Sequence, residues 1–344
     1  MRQILLRIPL PGIGHPLTLY GYGAMLCLGF LAAIWTARWR ARRLGQPVDT
    51  VYNAALFAFL GGVFGARLFF LVQQHFQYGT PLDLLGIVRI WEGGLTYYGG
   101  LILAAVGVIG YLAASRQPVL YWADIFAPSL ALGLAFGRGG CFLNGCCFGD
   151  VSRGPWAFAW PAGSIPWHHY AAGAVASHGI ALEGYPGGDV GAVLGSAAAA
   201  WQMPAIQPAQ VYSAFNALTL FAVLALGFRW KRRHGQVFMA FLLLYGVSRF
   251  LLEFLRADED EIYFLGLLKL LPAMGLAKAA AALPHLTISQ NVAILMVAGS
   301  LIGLGWLARP GRPHLAADAV PPVHITPKEG SPDARPQRQK GKKA

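Results

Sequence analysis

The sequence predicts an all-α integral membrane protein of about seven transmembrane helices, with a small external cap between the fourth and fifth. Three observations carry this. First, 56% of residues are hydrophobic and 12% charged, with a mean hydropathy of +0.50, which leaves too little polar surface to cover a soluble globule. Second, the chain contains seven apolar runs of about the 20 residues a bilayer demands. Third, the basic residues recur in short loops at alternate ends of those runs.

The runs are Leu17–Ala37, Val51–Val72, Tyr97–Ala114, Tyr121–Leu143, Ala209–Phe228, Val237–Leu255 and Gln290–Ala308. The first leads directly into Arg38, Arg40, Arg42 and Arg43 with no small-residue cleavage site before them, and reads as a retained helix rather than a signal peptide. A net charge of +12 would suit a nucleic-acid partner if it were clustered on one soluble face. Here Arg38–Arg43, Arg116, Arg229–Arg233 with His234, and the tail after Arg309 fall on one side of the membrane if the N-terminus is outside. The acidic run Asp258–Glu261 falls on the other, so an outside N-terminus and a cytoplasmic C-terminus satisfy every loop.

Two segments lie outside the spans. The stretch 144–207 is rich in Gly, Pro and aromatic residues, including Trp156, Trp160, Trp167 and Trp201, and is expected to form the cap. The Pro-, Lys- and Arg-rich tail 309–344 cannot bury enough apolar area to offset its ordering entropy and is expected to be a disordered, basic cytoplasmic segment. Its charge either lies against anionic lipid or simply sets topology. The transmembrane domain is thus read as 1–308. No internal repeat, Walker-type motif or zinc-protease motif is visible.

Ionisable groups inside spans are costly, and they mark either a site or a buried structural pair. Arg67 closes the GGVFGAR stretch, Glu92 precedes the third span, Arg138 lies late in the fourth, and Arg249 and Glu253 sit in the sixth. Tyr245, Arg249 and Glu253 recur every four residues and share one helical face, with Arg256 close to the same stripe. The plain reading is an Arg249–Glu253 pair that neutralises itself within the bundle. The alternate directions of the helices, however, bring Tyr22, Arg67, Tyr97, Tyr98, Arg138, Arg249 and Glu253 to one depth, near the outer surface. Three arginines with only Glu92 and Glu253 nearby leave a positive excess that suits a visiting anion, and a phospholipid phosphate can be gripped bidentately by guanidinium groups. Gly137, Gly139 and Gly140 would let backbone approach that headgroup, or else serve as ordinary packing residues.

These residues resemble a family. GRGGCFLNGCCFG, from Gly137 to Gly149, is similar to the GR-x-G-N-F-x-N-G-E-x-x-G signature of the bacterial prolipoprotein diacylglyceryl transferases. WEGGLTYYGGLI from Trp91, QPAQVYS from Gln207 and LYGVSRFLLEFLR from Leu244 resemble further motifs of that family, in order, from Tyr22 to about Ser300. The resemblance implies an inner-membrane enzyme that moves a diacylglyceryl group from phosphatidylglycerol to the lipobox cysteine of a secreted prolipoprotein, without a cofactor or a bound metal. The implied partners are phosphatidylglycerol, prolipoprotein signal peptides and membrane lipid, with no nucleic acid. It further implies that Arg138 and Arg249 hold the lipid phosphate, with Tyr98 and Glu253 at catalytic positions. Tyr22, Arg67, Asn144, Gly149, Gln210 and Tyr245 take substrate-binding positions on the combined reading of residues and resemblance.

The departures are specific. Tyr98 stands where the family often carries a histidine, and a phenol has an unperturbed pKa of about 10. Gln207 and Ser213 replace the histidine and glutamate of HPxQLYE, and Cys141 and Cys146 replace the asparagine and glutamate of the GR motif. A disulfide within Cys141, Cys146 and Cys147 is the leading expectation at an oxidising external face. Buried free thiols, or a metal held with His168, His169 or His178, are the alternatives. Cys27 reads as a core residue of the first span. A transporter of anionic lipid would also explain buried arginines, but paired repeats with broken helices are missing. A relative that binds phospholipid without modifying lipoproteins is the other alternative.

Overall fold

A computed structural model describes residues 4–8, 17–81, 83–89, 93–177, 203–257, 261–262 and 286–309. Seven of its helices are long and apolar enough to cross a membrane, and the protein is an all-α, multi-pass membrane protein. In chain order the described elements are strands β1 (Ile4–Ile8) and β2 (Leu17–Tyr20), then helices α1 (Gly21–Arg43), α2 (Val48–Tyr78), α3 (Tyr97–Ala114) and α4 (Val119–Asn144). A cap helix α5 (Ile165–Ser177) precedes α6 (Ala209–Gly227) and α7 (Gln236–Glu253). The short strands β3 (Glu261–Ile262) and β4 (Leu286–Thr287) then lead into α8 (Ile288–Ala308).

The third run coincides with its helix, and α4, α6, α7 and α8 agree to within two residues. Two spans differ. Leu17–Tyr20 is not the start of α1 but a strand paired antiparallel with Ile4–Ile8, because hydropathy cannot tell an apolar extended segment from an apolar helical turn. The second span runs on from Val72 to Tyr78, ending where Gly79 adopts a left-handed φ of 68° and closes the helix. The tail, the acidic run 258–260 and the cap residues 178–202 lie outside the described residues, as does Glu92.

The bundle is organised around α4, which packs against α1, α6 and α7, while α2 pairs with α3 and α7 with α8. Half of the apolar stretch of α4 is buried against protein, against at most 22% for the other six spans, whose outer faces are left for lipid. The α2–α3 pair is close: a Cβ on Gly65 or on Gly99 would sit 2.6 Å from the carbonyl oxygen of the other, so only glycine lets these backbones meet. Thr36 and Ser129 share a 2.9 Å hydrogen bond between α1 and α4. Beside the ladder bond that Pro128 cannot make, Arg40 donates to the Ile125 carbonyl at 3.0 Å.

One end of α4 is closed by a buried polar knot. Asp124, fully buried, accepts from the backbone N–H groups of Gly235 and Phe238 at the start of α7, and from Lys231 at 3.3 Å. A carboxylate there satisfies orphan helix donors and complements the dipole of α7. Burial pulls the Lys231 ammonium below its ordinary pKa, with Asp124 opposing, and burial together with Lys231 pulls the His234 imidazole below its own. Arg138 lies fourteen residues further along α4, about 21 Å at 1.5 Å per residue, so the site occupies the other end of the bundle.

The cap sits on that other end. Phe148, Trp160 and Ile206 form its core, with Phe142 of α4 packed against them. Isolated bridges join Gly149 to Arg256 and both Val151 and Phe158 to Ile206, which ties the segment after α4 to the segments before α6 and after α7. Gly149 is the tightest point: a Cβ there would lie 2.5 Å from the Gln207 carbonyl oxygen and 2.7 Å from that of Leu255. Gly149→Ala is therefore expected to destabilise the protein by about 1–3 kcal/mol through backbone displacement. A lowered midpoint in a thermal scan of the detergent-solubilised protein checks this, and an unchanged midpoint would show that the crossing can relax.

Candidate active site

A narrow cavity opens between α4, α6 and α7, lined by Leu134, Arg138, Ser213, Asn216, Ala217, Tyr245, Arg249 and Leu252. The four-residue spacing of Tyr245 and Arg249 puts both on the face of α7 that looks at Arg138 of α4. Among the described residues, no carboxylate lines this cavity. Glu253, buried and one further turn along α7, ion-pairs with Arg249 and lies 3.4 Å from Arg256, and its other oxygen accepts the Thr287 hydroxyl at 2.7 Å. Arg249 also donates to Ser289 at 2.6 Å. Thr287 in turn caps α8 through a reciprocal capping box with Gln290, so the start of α8 fixes the carboxylate that fixes Arg249.

The remaining predicted residues divide into two groups. Tyr22, in the first turn of α1, is within electrostatic reach of Arg138 and of Cys141, Cys146 and Cys147. It is brought there by Gly140, where a Cβ would meet its ring at 3.1 Å, while Gly139 makes room for Met25. These two glycines thus pack α1 against α4 instead of admitting a headgroup, and only Gly137 faces open space. Asn144 hydrogen-bonds Cys146 at the end of α4. Tyr98 meets Tyr97 edge-on at 5.5 Å, and Tyr97 is coupled electrostatically to Tyr245, Arg138 and Arg249.

Three predicted binding residues are instead bonded to backbone or packed against it. Arg67 is buried and donates to the carbonyls of Gly86 (2.8 Å) and Gly93, which holds down the loop between α2 and α3; it is not among the cavity's lining residues. Gln210, also buried, donates to the Cys146 carbonyl at 2.9 Å and anchors the cap on α6. Gly149 makes the backbone crossing described above. The expected disulfide is also absent: Cys141, Cys146 and Cys147 are free thiols, although their sulfurs lie within 4.8 Å of one another.

Sequence reasoning overlooked Asn216 and the pair Thr287–Ser289. Asn216 donates to Ser248 at 3.0 Å and lines both the arginine cavity and a larger groove of about 740 Å³ beside it, formed with Trp156, Val211, Tyr212, Phe215 and Thr219. An amide two turns into a largely apolar span was the available signal for Asn216. For Thr287 and Ser289 the signal was the Thr-x-x-Gln capping box ahead of an apolar run.

The family model described as Prolipoprotein diacylglyceryl transferase matches residues 11–306, which takes in every span and the site. The chain belongs to the prolipoprotein diacylglyceryl transferase family. Among relatives named phosphatidylglycerol–prolipoprotein diacylglyceryl transferase, the protein from Paraburkholderia phytofirmans is 31% identical over 318 residues, covering 89% of this chain and 94% of its own length. One from Burkholderia cenocepacia is 32% identical over 270 residues, 76% of this chain and 86% of its own. One from Clostridium tetani is 30% identical over 243 residues, 70% of this chain and 82% of its own.

Proposed function

We propose that this protein transfers the diacylglyceryl group of phosphatidylglycerol to the lipobox cysteine thiol of secreted prolipoproteins, from the outer face of the bacterial inner membrane. The observation that carries the reading is the convergence of Arg138 and Arg249, from two different helices, on one cavity with no carboxylate in its wall among the described residues. In the reaction the cysteine sulfur attacks a glycerol carbon, the bond from that carbon to the phosphate oxygen breaks, and glycerol phosphate leaves while the thiol proton is released. No enzyme nucleophile is needed. What the protein must supply is cationic stabilisation of the departing phosphate and a field that favours thiolate, and two guanidinium groups at low dielectric supply both. Glu253 acts through Arg249: with both oxygens engaged it positions the guanidinium. The orientation, with the N-terminus outside and the C-terminus cytoplasmic, rests on the placement of the arginine-rich loops. The basic 309–344 tail is taken as cytoplasmic on the same grounds. Reconstitution with phosphatidylglycerol and a lipobox peptide, followed by mass spectrometry of the cysteine, tests the reading. A diacylglyceryl thioether is expected, and an unmodified peptide beside bound lipid would support the non-modifying alternative.

Tyr98 is proposed to orient the incoming thiol by one hydrogen bond, with thiolate formation left to the electropositive cavity. Tyr98→Phe should then slow transfer about threefold to tenfold, the size of one net hydrogen bond, and leave lipid binding intact. Tyr98→His should add a limb to the pH–rate profile near the ordinary histidine pKa of about 6.5. Unchanged profiles in both variants would remove Tyr98 from the mechanism.

A further inference from the structure

The end of α4 carries a cluster that the transfer reaction does not use. Cys141 lies in the last turn of the helix, and Gly145, with φ 85°, reverses the chain so that Cys146 and Cys147 fold back toward it. The Gly145 N–H caps the Cys141 carbonyl at 2.8 Å. Cys147 itself holds a left-handed φ of 59°, a conformation a non-glycine residue keeps only where its surroundings impose it. All three side chains are partly buried, and their sulfurs lie within 4.8 Å of one another. That spacing decides between the chemistries open to three thiols. A disulfide requires sulfurs about 2.05 Å apart. Three sulfurs about 2.3 Å from a common centre in a trigonal plane are about 4 Å from each other, which falls within the observed range.

We propose that Cys141, Cys146 and Cys147 form a three-sulfur binding site for a soft monovalent cation, Cu(I), at the external mouth of the bundle. Thiolates select soft metals, with Cu(I) and Zn(II) the leading candidates. Structural zinc is almost always four-coordinate, and among the described residues no histidine or carboxylate joins the three sulfurs as a fourth ligand. Cu(I) is satisfied by three. On loading, the S–H protons pass to solvent as the metal–sulfur bonds form, with no change of oxidation state. The resulting thiolate-rich centre lies within electrostatic reach of Arg138, whose charge offsets it. The cluster is also held from behind: Asn144 bonds Cys146, and buried Gln210 donates to the Cys146 carbonyl at 2.9 Å. Arg138 itself lines the arginine cavity, and occupancy of the cluster would stiffen the junction between α4 and the cap.

The test uses the full-length protein, purified anaerobically in detergent and titrated with Cu(I) against a chromophoric Cu(I) chelator. One Cu(I) per chain is expected, with a first shell of three sulfurs by X-ray absorption. Each of Cys141→Ser, Cys146→Ser and Cys147→Ser should lose that shell, and Cys27→Ser should keep it. A footprint on the wild-type chain guards against variants that fail to fold. Cu(I) should protect Cys141, Cys146 and Cys147 from N-ethylmaleimide and leave Cys27 unchanged. Failure to compete with the chelator, a shell of fewer than three sulfurs, equal labelling with and without Cu(I), or a disulfide among these cysteines in the protein as purified would overturn the proposal.

Discussion

Replacing Arg138 or Arg249 by alanine is expected to abolish transfer while membrane insertion stays normal. Removing one donor from a site that stabilises developing charge typically costs about 10²–10³ in rate, and each arginine here supplies a full charge as well as donors. Insertion should be spared because each change removes a polar group from an apolar run, which lowers the cost of placing that helix in lipid. Arg249→Lys is the more discriminating variant. Its ammonium keeps the charge but loses the planar fork that engages phosphate at two oxygens, and it cannot hold Glu253 and Ser289 together as Arg249 does. It should therefore be strongly impaired too. Initial rates on phosphatidylglycerol and a lipobox peptide, normalised to protein in the membrane, check all three.

Glu253→Ala should be the most destabilising single change at the site. Glu253 is 4% exposed, ion-pairs with Arg249 and Arg256 and accepts a hydrogen bond from Thr287, so its loss removes a counter-charge from two buried guanidinium groups. Breaking a buried pair from one side costs about 3–5 kcal/mol. Glu253→Gln keeps the shape and the Thr287 contact but not the charge, and should fall between wild type and alanine. On the proposed positioning role of Glu253, the residual activity of Glu253→Gln should keep the wild-type pH–rate profile. A thermal midpoint like wild type's in the alanine variant, or a displaced profile in the glutamine variant, would contradict this assignment.

The charged half of this site is legible in the sequence because charge is conspicuous inside apolar runs. Arg138, Tyr245, Arg249 and Glu253 stand out by residue type and spacing, and Arg138, Tyr245 and Arg249 do line one cavity. Arg67 stands out equally and is not among the cavity's lining residues; it donates to the backbone carbonyls of Gly86 and Gly93, and a carbonyl acceptor leaves no mark in a sequence. The glycines beside Arg138 are ambiguous for a related reason. Whether the absence of a Cβ serves a ligand or a neighbouring helix depends on what lies opposite, and for Gly139 and Gly140 that is Met25 and Tyr22. The spans follow from hydropathy, but the β1–β2 hairpin does not, since Leu17–Tyr20 is as apolar as the helix it precedes. For the cysteines, an oxidising external face suggests a disulfide, whereas the left-handed turn through Gly145 and Cys147 brings together three free thiols.

The central claim is that Arg138 and Arg249 act together on one lipid phosphate, and the double-mutant cycle on transfer rate tests it most directly. Residues that work as a unit are grossly non-additive, so Arg138→Ala/Arg249→Ala should be little slower than either single variant. If the losses from the two single variants instead multiply in the double variant, or if either single variant turns over near the wild-type rate at normal membrane levels, the two guanidinium groups do not share the phosphate and the proposed site is wrong.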